Sequence, residues 1–251
     1  MAPPPARPPL DNIPTTPAPA PLPETLGPPS DAMPGQPLAR RSDVQAFIRE
    51  MTAKHGFNAA RLQATFSRAY AQPSIVAAIS KPSEAKPWYA YRAIFVNPKR
   101  VQGGVAFWRA HAATLARAEQ VYGVPPEIVV AIIGVETQYG GNMGKYRVLE
   151  ALATLAFDYP RRAAYFRKEL ENFLLLARAE NIDPLAPRGS YAGAMGLGQF
   201  MPSSYQSYAV DFDGDGHRDL TQNPVTPSAA SPIISKKWLA ERTAGRHTGL
   251  G

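Results

Sequence analysis

Apolar residues recur every three or four positions through most of residues 42–180, the spacing of helices that bury one face. We predict a helix from Ser42 that stops at Gly56, a second after Asn58, and three more over about 105–122, 126–139 and 161–180. Strand signals are sparse, so the predicted fold class is mainly α. The positions expected to face inward are Val44, Phe47, Ile48, Met51, Leu62, Phe66, Trp108, Leu115, Ala118, Phe166, Leu170, Phe173, Leu174 and Ala177.

Residues at the segment ends refine this interpretation. Ser42 and Gln45 have the spacing of a capping box. The apolar run at 126–139 could be a buried strand by composition, but proline at its start and Gly140-Gly141 at its end favour a helix. Prolines within residues 81–100 predict a loop that carries Trp88, Tyr89 and Tyr91.

Composition narrows the function classes. About half of the 27 prolines fall before residue 41, so residues 1–41 are predicted to be a disordered Pro-rich segment, without the apolar core of a signal peptide. Absence of cysteine excludes disulfides and thiolate chemistry. No apolar run is long enough for a transmembrane segment. The net charge of +7 forms no basic stripe with aromatic residues, so no nucleic-acid partner is expected.

Glu136 is the first candidate for chemistry. It shares a predicted helix face with Val129, Ile132 and Ile133, so its carboxyl is expected to be partly removed from water. Such an environment disfavours the charged form and suits a general acid. The alternative is a glutamate at a helix end that reaches solvent past the glycines.

Arg161 and Arg162 are predicted to open the last helix, where cations oppose the helix dipole. A ligand that carries carboxylates would explain the pair. Local pairing with Asp158 or Glu169 is the alternative.

The segment from Ser190 to Pro202 contains Gly193, Gly196 and Gly198, which would let the backbone lie close to a ligand, and Gln199 offers both a donor and an acceptor. The glycine spacing does not match a dinucleotide-binding fingerprint. A tight packing loop between helices is the alternative.

Three aspartates at alternate positions, Asp211, Asp213 and Asp215, precede Gly216 and His217. This pattern matches the first half of an EF-hand loop, in which the carbonyl at position 7 would also bind the ion. Position 12 is Gln222 rather than glutamate. A structural Ca²⁺ or Na⁺ is the expected cofactor, and a simple Asp/Gly turn is the alternative.

Taken in order, VAIIGVETQYGGNMGKYRVLEALATLAFDYPRRA, GSYAGAMGLGQFMPSSY and DFDGDGHRDL resemble the lytic murein transglycosylase B family, as does KPWYAYRAIFVNPKR upstream. The resemblance covers about residues 47–225. It implies a lysozyme-like helical core with an EF-hand-like metal loop, in a periplasmic or outer-membrane-associated protein. The implied partners are peptidoglycan glycan strands and their stem peptides.

The resemblance also implies the reaction and the roles of residues. Family members cleave the β-1,4 bond between N-acetylmuramic acid and N-acetylglucosamine without water and form a 1,6-anhydro product, with no cofactor in the chemistry. The matching acid/base is Glu136, Ser190 and Gln199 match substrate contacts, and Arg161 and Arg162 match an arginine pair near the stem peptide. A lysozyme-type muramidase and an inactive peptidoglycan-binding remnant or scaffold are the alternative functions.

The chain departs from the family after residue 225. The family continues with Asp-Ala-Ile-Gly-Ser-Val-Ala-Asn-Tyr, and codons for that stretch read one nucleotide late can encode the Thr-Pro-Ser-Ala-Ala-Ser-Pro-Ile of residues 226–233. We therefore expect residues 42–225 to be a C-terminally incomplete catalytic domain and residues 226–251 to be a frameshifted tail.

Overall fold

The computed structural model describes residues 35–81, 87–209, 211 and 218. Two 3-10 turns, Leu38–Arg40 and Pro160–Arg162, precede the first and ninth helices. Two short strands, β1 (Tyr146–Arg147) and β2 (Arg188–Gly189), pair antiparallel. The helices in these ranges are α1 (Ser42–His55), α2 (Ala59–Ser67), α3 (Pro73–Ile79), α4 (Trp88–Phe95), α5 (Pro98–Ala110), α6 (Ala112–Tyr122), α7 (Pro126–Thr137), α8 (Val148–Asp158), α9 (Ala163–Ala179) and α10 (Pro202–Tyr208).

The core is centred on α8, which packs along α9 and also contacts α3. Helix α10 lies on α9, while α5 and α6 pack on α7. The inward positions predicted for the first, second and last helices are all buried. The mainly α prediction is therefore confirmed, and the two strands form only a small ladder beside α8.

The ends of α1 confirm one prediction and correct another. Gly56 ends the helix in the left-handed conformation with φ of 65°, as expected. The capping box is wrong, because Arg41 is the N-cap and makes no side-chain cap bond. The side-chain Nε2 of Gln45 instead donates to the carbonyl of Ala39 and to Oε1 of Gln63.

The predicted loop at 81–100 is wrong. Residues 88–95 form α4, and α5 begins at Pro98 rather than near residue 105. Both helices have proline at or just before their first turn, where the missing N–H costs nothing. Trp88 and Tyr89 are 71% and 78% exposed on α4.

The helix predicted over about 105–122 is two helices. The chain breaks at His111, between α5 and α6, and α6 stops at left-handed Gly123. Leu115 and Ala118 are buried as predicted, whereas Trp108 remains 38% exposed. Burial lowers the pKa of His111 at this break.

The structure also contains elements that the sequence analysis did not predict. Helices α3 and α8 are both absent from the predicted set. In α8, every residue from Val148 to Ala156 is buried. Leu38 is fully buried and its amide donates to the carbonyl of Ala69 at 2.9 Å. The packed structure therefore includes residues before the predicted start at Ser42. Most of the Pro-rich segment and all of residues 226–251 lie outside the described residues.

No single helix in the described ranges has the length and apolar character to cross a membrane. Helices α6 and α7 reach those criteria only as a pair, which is bent through 116°.

Candidate active site

Glu136 lies in the last turn of α7 and is half-buried. Val129 and Ile133, which precede it on the same face, are fully buried. The helix starts at Pro126 and ends where Gln138 and Tyr139 both take positive φ, 53° and 61°. The predicted helix is thus confirmed, with Glu136 in its last turn, but it is not buried all round, because Ile128 and Val135 are exposed on its other side.

Thr137, the next residue, joins the end of α7 to the glycine-rich segment 190–200. Its buried hydroxyl lies 3.1 Å from the carbonyl oxygen of Leu197 and 3.2 Å from that of Ile133, so it can donate to either. The same oxygen accepts a hydrogen bond of 3.1 Å from the amide of Gly140. The structure therefore brings the helix that carries Glu136 into contact with the segment that carries Ser190 and Gln199.

Ser190 organises the turn that begins this segment. Its Oγ accepts hydrogen bonds from the amides of Ala192 and Ala194, at 3.2 and 3.1 Å. Its own amide donates to the carbonyl of Ala194 at 2.8 Å. Since a hydroxyl has two lone pairs and one hydrogen, these bonds leave the hydrogen for another acceptor.

Gln199 bridges the same segment to the chain that leaves α7. Its Nε2 donates to the carbonyls of Gly196 and Met143, at 3.1 and 3.3 Å. Both amide hydrogens are used in these bonds. The carbonyl oxygen Oε1 has no hydrogen bond from a residue that the structure describes, so it can accept one from a ligand.

The glycines of this region allow close packing. A Cβ atom at Gly144 would clash with the backbone of Gly189, and one at Gly189 would clash with the carbonyl of Ala194. Gly193 has φ of +82° and a Cβ there would clash with the side chain of Leu152 on α8. For Gly193 the packing explanation therefore holds, rather than close approach to a ligand.

The arginine pair lies outside α9. Arg161 and Arg162 are exposed in the 3-10 turn, and α9 begins at Ala163, so the predicted helix start is two residues early. The Arg162 guanidinium lies over the ring of Tyr165, 4.2 Å from its centroid. Burial, together with the charge of Glu169, raises the pKa of the Tyr165 hydroxyl.

The acids suggested as local partners have other bonds. Asp158 forms an ion pair of 2.7 Å with Arg41. Glu169 accepts hydrogen bonds from the backbone amide and the hydroxyl of Ser203. Arg161 has no hydrogen bond or ion pair with any residue that the structure describes. It is therefore available to an anionic ligand.

Of the aspartate-rich loop, the structure describes the first residue, Asp211, and it also describes Arg218, which follows the loop. The backbone amide of Arg218 and its Nε both donate to Glu180 just after α9, at 3.2 and 2.9 Å. Tyr205 of α10 donates to the carbonyl of Arg218. Asp213, Asp215 and His217 lie outside the described residues, and among those described no three acidic or histidine side chains cluster as a metal site.

Comparison with known proteins decides the family. A family model described as "Transglycosylase SLT domain" matches residues 39–250. The chain belongs to this family. It is also 50% identical over 217 residues to membrane-bound lytic murein transglycosylase B of Escherichia coli (strain K12). The matched region covers 82% of this chain and 60% of that relative. The chain thus spans less than two thirds of the relative's length.

Solved structures of this transglycosylase family share the fold. Escherichia coli lytic transglycosylase Slt35 in complex with calcium matches with a TM-score of 0.74 and 50% identity, over 82% of this chain and 65% of that one. SltB3 of Pseudomonas aeruginosa in complex with NAG-NAM-pentapeptide matches with a TM-score of 0.69 and 34% identity, over 76% and 51%. The lysozyme-like, mainly helical fold expected from the sequence is therefore confirmed.

Three residues that hold the site together were missed by the sequence analysis. They are Thr137, Tyr139 and Arg100, whose guanidinium donates to the carbonyl of Gly134 in α7. Glycines within α5 and α7 were the available signal. Glycine inside a helix costs about 1 kcal/mol relative to alanine, so its presence there indicates that close packing requires it.

Proposed function

We propose that this chain carries the active site of a lytic transglycosylase that cleaves peptidoglycan, with Glu136 as its only acid/base. The observation that carries the proposal is the half-buried carboxyl at the end of α7, tied through Thr137 to the segment of Ser190 and Gln199. Family membership and the peptidoglycan fragment bound by SltB3 support the same substrate class. That substrate would place the protein in the periplasm, with or without attachment to the outer membrane.

Glu136 acts twice in this mechanism. As an acid it gives its proton to the oxygen that leaves with N-acetylglucosamine, while the C1–O bond breaks. As a base it then takes the proton of the muramyl 6-hydroxyl, whose oxygen bonds to C1 and forms the 1,6-anhydro ring. The nucleophile belongs to the substrate, so neither water nor a second carboxylate is required.

The neighbouring polar groups suit contacts with the sugar. Ser190 retains a hydroxyl hydrogen to donate, and Gln199 retains Oε1 to accept from a sugar hydroxyl or N-acetyl amide. Arg161 and Arg162 would bind carboxylates of the stem peptide, as exposed guanidinium groups do well.

We further propose that the loop from Asp211 to His217 holds a structural Ca²⁺. Three carboxylates and a backbone carbonyl are the hard oxygen ligands that this ion prefers, and Na⁺ would be a weaker occupant. The anchoring of Arg218 to Glu180 and Tyr205 supports a loop with a defined exit. The ion would stabilise the loop and take no part in bond cleavage.

The products identify the reaction. Purified chain is incubated with sacculi, beside a Glu136→Gln variant, and the released muropeptides are analysed by mass spectrometry. We expect anhydromuramic ends from the unaltered chain and at least about a thousandfold less product from Glu136→Gln, because no other group replaces the acid. Reducing muramic acid would instead identify a muramidase.

A chain that binds sacculi equally with and without the Glu136→Gln change, but releases nothing, would be a binding remnant or scaffold.

The frameshift proposed near residue 225 is examined by sequencing the DNA there. A frame-restored protein, assayed in parallel, separates loss of the C-terminal sequence from a wrong assignment of Glu136.

A further inference from the structure

The ring of Tyr139 is inserted between α5 and α7 where both helices carry glycine. A Cβ atom would lie 2.9 Å from ring atom Cδ2 at Gly103, and 2.8 and 2.5 Å from Oη at Gly104 and Gly134. We call the space bounded by these three glycines the Tyr139 slot. Alanine would favour the helix at all three positions, and room for the ring explains why glycine stands there instead.

The backbone is reversed so that this ring can enter the slot. Gln138, Tyr139 and Gly140 have φ of 53°, 61° and 88°, all in the left-handed region. Gln138 and Tyr139 are not glycines, so their backbone is strained in that region. The ring centroid lies 5.8 Å from that of Phe107 on α5, and this packing helps to hold the strained turn.

The slot holds α7 on both sides of Glu136. Gly134 forms one wall two residues before Glu136, and Tyr139 is anchored three residues after it. Arg100 also donates to the carbonyl of Gly134, and the amide of Tyr139 donates to the carbonyl of Ile133 at 3.3 Å. The last turn of α7 is thereby fixed from the α5 side.

We propose that Tyr139 is a positioning residue whose ring, seated in the slot, sets the direction in which Glu136 faces the glycan. This proposal rests on the proposed acid/base role of Glu136. The effect is geometric: Tyr139 touches α5 and α7, and it acts on the reaction only through the turn that carries the carboxyl.

A blocked slot need not unfold the protein. A cavity of about 360 Å³ lies beside it, lined by residues that include Arg100, Gly103, Gln138 and Tyr139 itself. A ring expelled from the slot can move into this cavity. Alanine in place of a helical glycine also favours the helix.

Gly104→Ala tests the slot, because the new methyl would meet Oη at 2.8 Å and ring atom Cζ at 3.3 Å. We expect kcat on sacculi to fall by about tenfold or more, since a displacement near 1 Å can cost a hundredfold. KM and the affinity for a soluble disaccharide-peptide fragment should stay within about twofold, because groups that bind the substrate are not altered.

Adding Tyr139→Phe distinguishes positioning from general damage. It removes Oη and leaves Cζ at 3.3 Å from the alanine in Gly104→Ala, so the double variant should recover kcat. The matched control is Gly134→Ala with Tyr139→Phe, where Cζ remains at 2.7 Å and recovery should fail.

Crystal structures of the same variants, made in the 251-residue chain, give a readout that is independent of activity. The carboxyl of Glu136 should be displaced in Gly104→Ala and restored by Tyr139→Phe. An unmoved carboxyl in Gly104→Ala, or a double variant as impaired as the single one, overturns the proposal. If both the unaltered chain and the frame-restored protein are inactive, the proposed function fails, and the crystal structures alone decide the role of the slot.

Discussion

Gln138, Tyr139 and Gln199 are three of the four non-glycine residues with positive φ in the described ranges, and all three border the candidate site. Left-handed backbone at such residues persists only when surrounding contacts impose it. At Gln199 those contacts are the side-chain bonds to Gly196 and Met143. Local strain therefore concentrates around Glu136, which is typical of a functional site.

Gly193 allows a direct measurement of close packing at the residue scale. Gly193→Ala places a methyl group against Leu152 and forces alanine to adopt φ of +82°. We expect unfolding free energy, measured in urea, to fall by about 1–3 kcal/mol. In a double-mutant cycle with Leu152→Ala, the combined loss should be smaller than the sum of the two, because the shortened side chain makes room. Additive losses would contradict a direct clash.

At the scale of elements, the buried carboxylate of Glu171 helps to join α1 to α9. Glu171 of α9 accepts a 2.8 Å bond from Lys54, lies 2.6 Å from His55 Nε2 and pairs with Lys168 at 3.2 Å. Burial alone would raise the pKa of Glu171, but the bonds from these three residues lower it to about 2. The cluster holds the C-terminal end of α1 against the middle of α9.

This cluster predicts acid sensitivity. The pKa of Glu171 is lower in the folded state than its ordinary 4.5, so its stabilisation is complete above about pH 4.5 and is lost as pH falls toward 2. Glu171→Gln should cost about 1–3 kcal/mol near pH 7 and reduce the loss of stability between those pH values. The control is Glu50→Gln, which breaks the more exposed pair with Arg167 and should cost at most about 1 kcal/mol.

The accuracy of the sequence predictions varies with the kind of signal. Helices α1, α2 and α9 bury one face, so their periodicity predicted their inward residues correctly. Prolines at 87 and 98 were interpreted as breaks, although each stands where a helix opens. The proline and glycines at the ends of α7 predicted correctly that Glu136 lies near the end of a helix. The Tyr139 slot depends on contacts between α5 and α7, which residue spacing along one helix cannot reveal.

At the scale of the whole molecule, the proposed calcium loop follows α10 and is anchored at its exit to Glu180, just beyond α9. These helices pack on one another and α9 packs on α8, so the loop is connected to the centre of the core. Ion binding there should raise the free energy of unfolding of the whole fold, because a ligand that binds only the folded state stabilises that state.

Calcium should therefore raise the unfolding temperature of the chain. At a Ca²⁺ concentration of about 100 times Kd, the free energy of unfolding should increase by about 2.7 kcal/mol. Calorimetry with and without a chelator measures the shift in unfolding temperature. Asp213→Asn with Asp215→Asn should abolish the increase. Glu119→Gln removes the charge of an exposed residue on α6 and should preserve it. An unchanged unfolding temperature in the unaltered chain would exclude the ion.

Helix α8 has no face turned to solvent from Val148 to Ala156. Its neighbours include α3, α9 and the β1–β2 ladder, so each consecutive side chain fills a space shaped by another element. Saturation mutagenesis of this region should consequently show an unbroken block of intolerant positions, where an amphipathic helix would show tolerance at every third or fourth position. Substitutions in α8 should therefore lower the abundance of the protein by destabilising its fold, although they lie away from the residues proposed to act on the glycan.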